Sequence, residues 1–173
     1  MQIFDVLVDE HSQLERLAHR LEATPPEAAV MRRELLGSLQ TSWVTHARAE
    51  EKAFYDPMRA WGGSFDEVVL EGYAEHCSIE AIMRELEIVN PSNSRFDAKA
   101  RSLHYAMVKH FEEEESWIFE AARRHLGESR ATELAETYFE FKSRLSRGDS
   151  PHHLSVGVVP SSSAESNKSS SSA

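Results

Sequence analysis

The chain has 173 residues, 40% of them apolar and 28% charged, with a formal net charge of −10. That is enough for one soluble domain with its own core, and its acidity argues against nucleic acid as a partner. No apolar run reaches the ~18 residues of a membrane helix, and one cysteine, Cys77, leaves no internal disulfide.

The opening "MQIFDVLVDEH" has neither a basic n-region nor a small-residue cleavage site, so the expectation is a cytoplasmic protein without a membrane anchor. A helical hydrophobic period begins at about Ile3 and runs to Glu22, stopping at "TPPE", where Pro25 or Pro26 can open the next helix. The second helix is expected to run to about Tyr55, with Pro57 ending or kinking it. "WGG" then reads as a loop, and Ser64 with Glu67 in "SFDE" as a capping box for the third helix, which ends at "NPSNS". The fourth is expected over about Phe96 to Leu126 with Gly127 as its stop, and a shorter amphipathic piece over about Arg130 to Leu145. No strand pattern competes. The Ser-rich remainder reads as a disordered tail. The predicted fold is therefore all-α: an antiparallel up-down four-helix bundle with a short C-terminal fifth helix, residues 1–145, followed by a tail over 146–173.

At about 100° per residue each helix shows one buried stripe. The first carries Ile3, Leu7, His11, Leu14, Ala18 and Leu21; the second Met31, Leu35, Leu39, Ser42, His46, Glu50 and Ala53/Phe54. The third carries Phe65, Val69, Gly72/Tyr73, His76, Ile79/Glu80, Met83 and Leu86. The fourth carries Phe96, Ala100, Leu103, Met107, His110, Glu114, Trp117/Ile118 and Ala121, with Glu112, Glu113 and Glu115 turned sideways or outward. Each helix thus contributes one histidine near its middle, and in an antiparallel bundle those middles share a level.

A lone histidine on an apolar stripe is more often a hydrogen-bonded core residue than a ligand, and one His-x-x-x-Glu match is weak. Two such pairs, His46/Glu50 and His110/Glu114, both inward, with an inward histidine on each other helix, are a stronger signal. Buried carboxylates without a counter-charge cost several kcal/mol each, and no Lys or Arg lies on these stripes. A metal supplies the charge; imidazole and carboxylate suit iron, zinc or manganese, and four histidines with two carboxylates fit two ions better than one. His19 and His125 read as surface residues, His104 as a stripe-edge residue, and Trp43, Trp61 and Trp117 as packing residues. His152 and His153 fall in the tail, and Cys77 points away from the site.

The segments "DEH" at Asp9 to His11, "HARAEEKAFYDP" from His46, "EH" at Glu75 and His76, and "HFEEEESWIF" from His110 together resemble the hemerythrin-like, HHE cation-binding domains over about Ile3 to Leu126. The resemblance implies two non-haem iron ions joined by the glutamates and an oxo or hydroxo bridge, held by His11, His46, Glu50, His76, His110 and Glu114. Oxygen-carrying members resemble a pattern with a second histidine four residues from the one on the third helix. Here those positions are Gly72 and Glu80. Glu80, Tyr73 as a phenolate, or water are the candidates for the missing ligand. The resemblance implies a protein that binds or reacts with O2, peroxide or nitric oxide. Catalase-like or oxidase turnover, and an iron- or oxygen-sensing module, are the alternatives.

Overall fold

The computed structural model describes residues 1–148, and these form five helical rods without a strand among them. Helix α1 is Ile3–Ala23. Helix α2 spans residues 29–59 in three parts: an α-helix Ala29–Glu50, a π turn Glu51–Tyr55 and a final α turn Asp56–Arg59. Helix α3 is Ser64–Ile88. Helix α4 spans residues 94–123, again an α-helix Ser94–Glu113, a π turn Glu114–Ile118 and an α turn Phe119–Arg123. Helix α5 is Glu128–Ser146.

Several boundaries differ from expectation. The prolines after α1 stay in the connection, and α2 opens at Ala29. Pro57 does not end α2: it falls in the first turn of the α segment after the π turn, where a missing N–H is tolerated. Ser64 is already helical, and Gly63 is the residue before the helix, without a side-chain cap. Gly62 and Gly63 have φ of 70° and 64°, a left-handed pair that a residue with a Cβ adopts at a cost. Gly127 precedes α5 rather than stopping α4. Asn93 caps α4, its side chain accepting the Arg95 N–H at 2.8 Å. The predicted tail from Asp149 onward, with His152 and His153, lies outside the described residues.

Helix α1 packs against α2, α4 and α5; α3 packs against α2 and α4; α5 also lies along α2 and its π turn. The core has two apolar halves. One gathers Ile3, Phe4, Leu7, Phe54, Met58, Phe119, Leu134 and Tyr138; the other gathers Leu14, Leu39, Trp43, Met83, Phe96, Leu103 and Phe111. Each fully buried Leu or Phe contributes about 1.5–3 kcal/mol. Most stripe predictions hold in the helix middles, though Ser42 is only partly buried beside the fully buried Trp43; near the ends Met31 is exposed, and Trp117 is half exposed while Ile118, Phe119 and Ala122 turn in. At the end of the second half Arg32 is buried. It donates to the carbonyls of Thr24 (2.7 Å) and Pro91 (2.5 Å) and pairs with Asp97 at 2.7 Å, tying two helix connections together.

Candidate metal centre

Between the two apolar halves lie six polar side chains. His11 comes from α1, His46 and Glu50 from α2, His76 from α3, and His110 and Glu114 from α4; all six are at most 1% exposed. The i, i+4 spacing stacks His46 on Glu50 and His110 on Glu114, one turn apart on the inner face. Their Nε2-to-carboxylate distances are 3.4 Å and 3.6 Å.

All four imidazoles present Nε2 inward and hold Nδ1 with an outer partner. His11 Nδ1 meets Glu115 at 2.9 Å, His46 Nδ1 meets Tyr138 at 3.0 Å, His76 Nδ1 meets Glu51 at 3.0 Å and His110 Nδ1 meets Glu75 at 2.9 Å. A carboxylate only accepts, so Nδ1–H is the donor in three of these, which sets the tautomer and leaves Nε2 as the free lone pair. Tyr138 sits on α5, and the nearby Glu10 carboxylate, held by Lys142, helps raise its hydroxyl above the usual range, after burial.

The inner atoms are short of partners. His11 Nε2, His46 Nε2, both oxygens of Glu50 and Glu114 Oε2 carry no hydrogen bond among the described residues. Glu50 instead faces His11 at 3.9 Å, and His46 and His76 at 3.4 Å each; Glu114 faces His11 at 3.3 Å and His110 at 3.6 Å. Buried polar atoms are ordinarily satisfied, so a convergent set of orphans marks a place for a cation. The donors fall into two triads, His11–His46–Glu50 and Glu50–His76–His110, with donor atoms of each within 4.8 Å of one another. Glu50 belongs to both, and Glu114 touches one histidine of each.

The electrostatics of the metal-free cluster follow from this geometry. Burial alone disfavours a charged His76, yet the carboxylates of Glu50 and Glu51 beside its two ring nitrogens and the charge of Glu114 push it up to about 9. His76 Nε2 lies 3.1 Å from His110 Nε2, a contact that requires one proton between them. Burial is likewise outweighed at His11, where Glu115, Glu114 and Glu50 raise the imidazole. His46 is dominated by burial and falls to about 4. Burial opposes ionisation of Glu50, but the histidines around it hold its carboxyl well below the usual range. Glu114 is raised, by burial and by the Glu50 charge. Protons thus stand in where a cation's charge would otherwise balance the carboxylates.

The structure does not bring Glu80 or Tyr73 to this cluster. Glu80 pairs with Arg48 at 2.6 Å and Arg84 at 3.6 Å, because a partner at the helix edge costs less than burial of a third carboxylate. The Tyr73 hydroxyl donates to Asp56 at 3.2 Å. The tyrosine at the cluster is Tyr55, absent from the sequence candidates. Its hydroxyl donates to Glu114 Oε1 at 2.5 Å and its ring stacks on His76 with centroids 5.4 Å apart. Ideal α periodicity gave no signal for it; the π turn at 51–55 turns it inward. Glu115 and Tyr138 were also missed as histidine partners. Trp43, expected as packing, is fully buried with its ring centroid 5.3–5.9 Å from His46, His76 and His110.

The hemerythrin HHE cation binding domain family matches residues 2–122, the stretch that carries all six side chains. The chain belongs to that family. A DNA nickase from Nostoc sp. (strain PCC 7120 / SAG 25.82 / UTEX 2576) is 26% identical over 145 residues, covering 84% of this chain and 40% of that relative. The HHE domain described here therefore spans less than half the length of that relative. No described helix is long and apolar enough to cross a membrane.

Proposed function

We propose that this HHE domain, residues 1–145, holds two non-haem iron ions in the core cluster and there binds or reacts with O2, peroxide or nitric oxide. The observation that carries this reading is the pair of buried His/Glu triads with Glu50 common to both, in which the Glu50 oxygens and the His11 and His46 Nε2 atoms have no hydrogen-bond partner among the described residues. His11 and His46 would serve one ion, His76 and His110 the other, and Glu50 and Glu114 would join them, together with an oxo or hydroxo bridge. Iron supplies a redox couple and open coordination positions. The protein supplies the rest: the outer carboxylates hold three of the imidazoles in one tautomer, Tyr138 orients the fourth, and Tyr55 holds Glu114 by one oxygen, leaving the other toward the histidines.

An antiparallel up-down arrangement of α1 to α4 supports the shared level of the donors. As numbers rise along α1 they fall along α4: His11 meets Glu115, and Glu22 meets His104. The donors are at most 1% exposed and walled by Trp43, Phe111 and Phe119, which favours a diatomic molecule or peroxide over a larger substrate. A net charge of −10 opposes a polyanionic partner, whatever the Nostoc relative does to DNA. The lone Cys77 supports a reducing, cytoplasmic setting.

The test is metal content of protein from iron-supplied cells, with absorption spectra under air, under argon and after peroxide. About two irons per chain are expected, as in other two-metal helix-bundle sites. Glu114→Ala should lose metal, whereas Glu113→Ala, whose carboxylate pairs with Lys109 outside the core, should keep it. Equal metal content in the two variants would refute the site. Reversible bleaching on deoxygenation would assign carriage, and gas evolution from peroxide would assign catalase-like turnover.

A further inference from the structure

Eight residues beyond His11 on α1, about 12 Å along the axis, the same helix pair brings a second group of metal-ligating side chains together. His19 and Glu22 stand one turn apart on α1 and His104 faces them from α4; one donor atom of each lies within 4.8 Å of the other two. His104 Nδ1–H donates to Glu22 Oε2 at 2.6 Å, and the His19 and His104 rings lie 5.5 Å apart between centroids. Unlike the core cluster, this one is open to solvent: His19 is exposed, and Glu22 and His104 are partly buried.

We propose that His19, Glu22 and His104 form a second, solvent-facing site for one divalent cation of the borderline class, separate from the core cluster. Two imidazoles and a carboxylate suit Zn2+, Fe2+, Co2+ or Ni2+, and three protein donors leave a position for water or an incoming group. The donors are supplied by two helices packed on each other, so little has to be ordered when an ion arrives. A cation displaces the proton that His104 shares with Glu22. Arg101 lies 3.6 Å from the other Glu22 oxygen and competes for that carboxylate. With Arg101 exposed and the contact long, that pair contributes little and releases Glu22 readily.

Calorimetric titration of the full-length protein with Zn2+ tests this, with iron assayed before and after so that exchange into the core is seen separately. One zinc equivalent per chain is expected with iron content unchanged. Its apparent affinity should fall at least about tenfold in His19→Ala and in His104→Ala, and hold or tighten in Arg101→Ala. His19 and His104 are not core residues, so the variants should melt like the parent. A zinc equivalent that survives both histidine substitutions, or is lost only in the His152→Ala/His153→Ala variant, overturns the proposal, as does the absence of any binding heat.

Discussion

Gly72 and Tyr55 behave as one unit. A Cβ at position 72 would lie 2.5 Å from the Tyr55 hydroxyl oxygen and 2.6 Å and 2.7 Å from two of its ring carbons, so the side chain of Tyr55 takes the room that glycine leaves on α3. Gly72, four residues before His76, is one of the two positions, with Glu80, where the sequence lacks the fifth histidine of the oxygen-carrying pattern. Gly72→Ala should destabilise by about 1–3 kcal/mol, the usual cost of overpacking a filled core. Tyr55→Phe should not rescue it, because the ring carbons still collide. Gly37→Ala, where a Cβ meets open space, should instead stabilise by about 0.5–1 kcal/mol. Thermal melts of the three variants check this; a neutral Gly72→Ala would mean that the tyrosine can swing away.

At the scale of elements, the two π turns and α5 shape the site. Each π turn begins at the glutamate of a His-x-x-x-Glu pair or one residue after it, at Glu51–Tyr55 and Glu114–Ile118. The extra residue in the turn moves the inner face on by one position, which is why Trp117 is outside, Phe119 and Ala122 are inside, and Tyr55 reaches Glu114. Helix α5 carries no inward histidine, yet its Tyr138 is the Nδ1 partner of His46. Tyr138→Phe keeps the ring and removes that partner. It should weaken metal binding by about 10–100-fold, the usual effect of losing an outer-sphere hydrogen bond, measured by competition against a chelator. Unchanged affinity would leave α5 with a packing role alone.

For the whole molecule, the buried charge cluster links metal, pH and stability. In the metal-free protein His76 is raised to about 9 and His11 is raised too, against an ordinary value of 6.5. A raised folded value means that the folded state binds the proton more tightly. Their contribution to stability is therefore complete below pH 6.5 and lost as pH rises through their folded values, about 9 for His76. His46, lowered to about 4, acts in the other window: its contribution is lost as pH falls from 6.5 toward 4. The metal-free protein should melt highest near pH 6.5. The metal-loaded protein, its ligands already deprotonated, should melt higher and stay nearly flat from pH 6.5 to 9. Parallel melting profiles in the two forms would mean that these histidines do not exchange protons for metal.

Periodicity was sufficient to read the helices and to find the six inward His and Glu residues, because apolar stripes at 3.6-residue spacing report which face is buried, and a polar residue on such a stripe is conspicuous. The sequence also showed that no second histidine stands four residues before or after His76, at Gly72 or Glu80. It did not show that the Tyr55 side chain packs against Gly72, nor which groups hold the histidines. Glu51, Glu75, Glu115 and Tyr138 lie on helix edges or on another helix, where no periodic pattern separates a hydrogen-bonding carboxylate from a solvated one. Glu80 and Tyr73 matched the stripe but bonded to Arg48 and Asp56, because an accessible partner wins over burial of a further polar group. Local spacing decides which face of a helix is buried; only the packing of all five helices decides which side chain on a neighbouring element completes each polar atom.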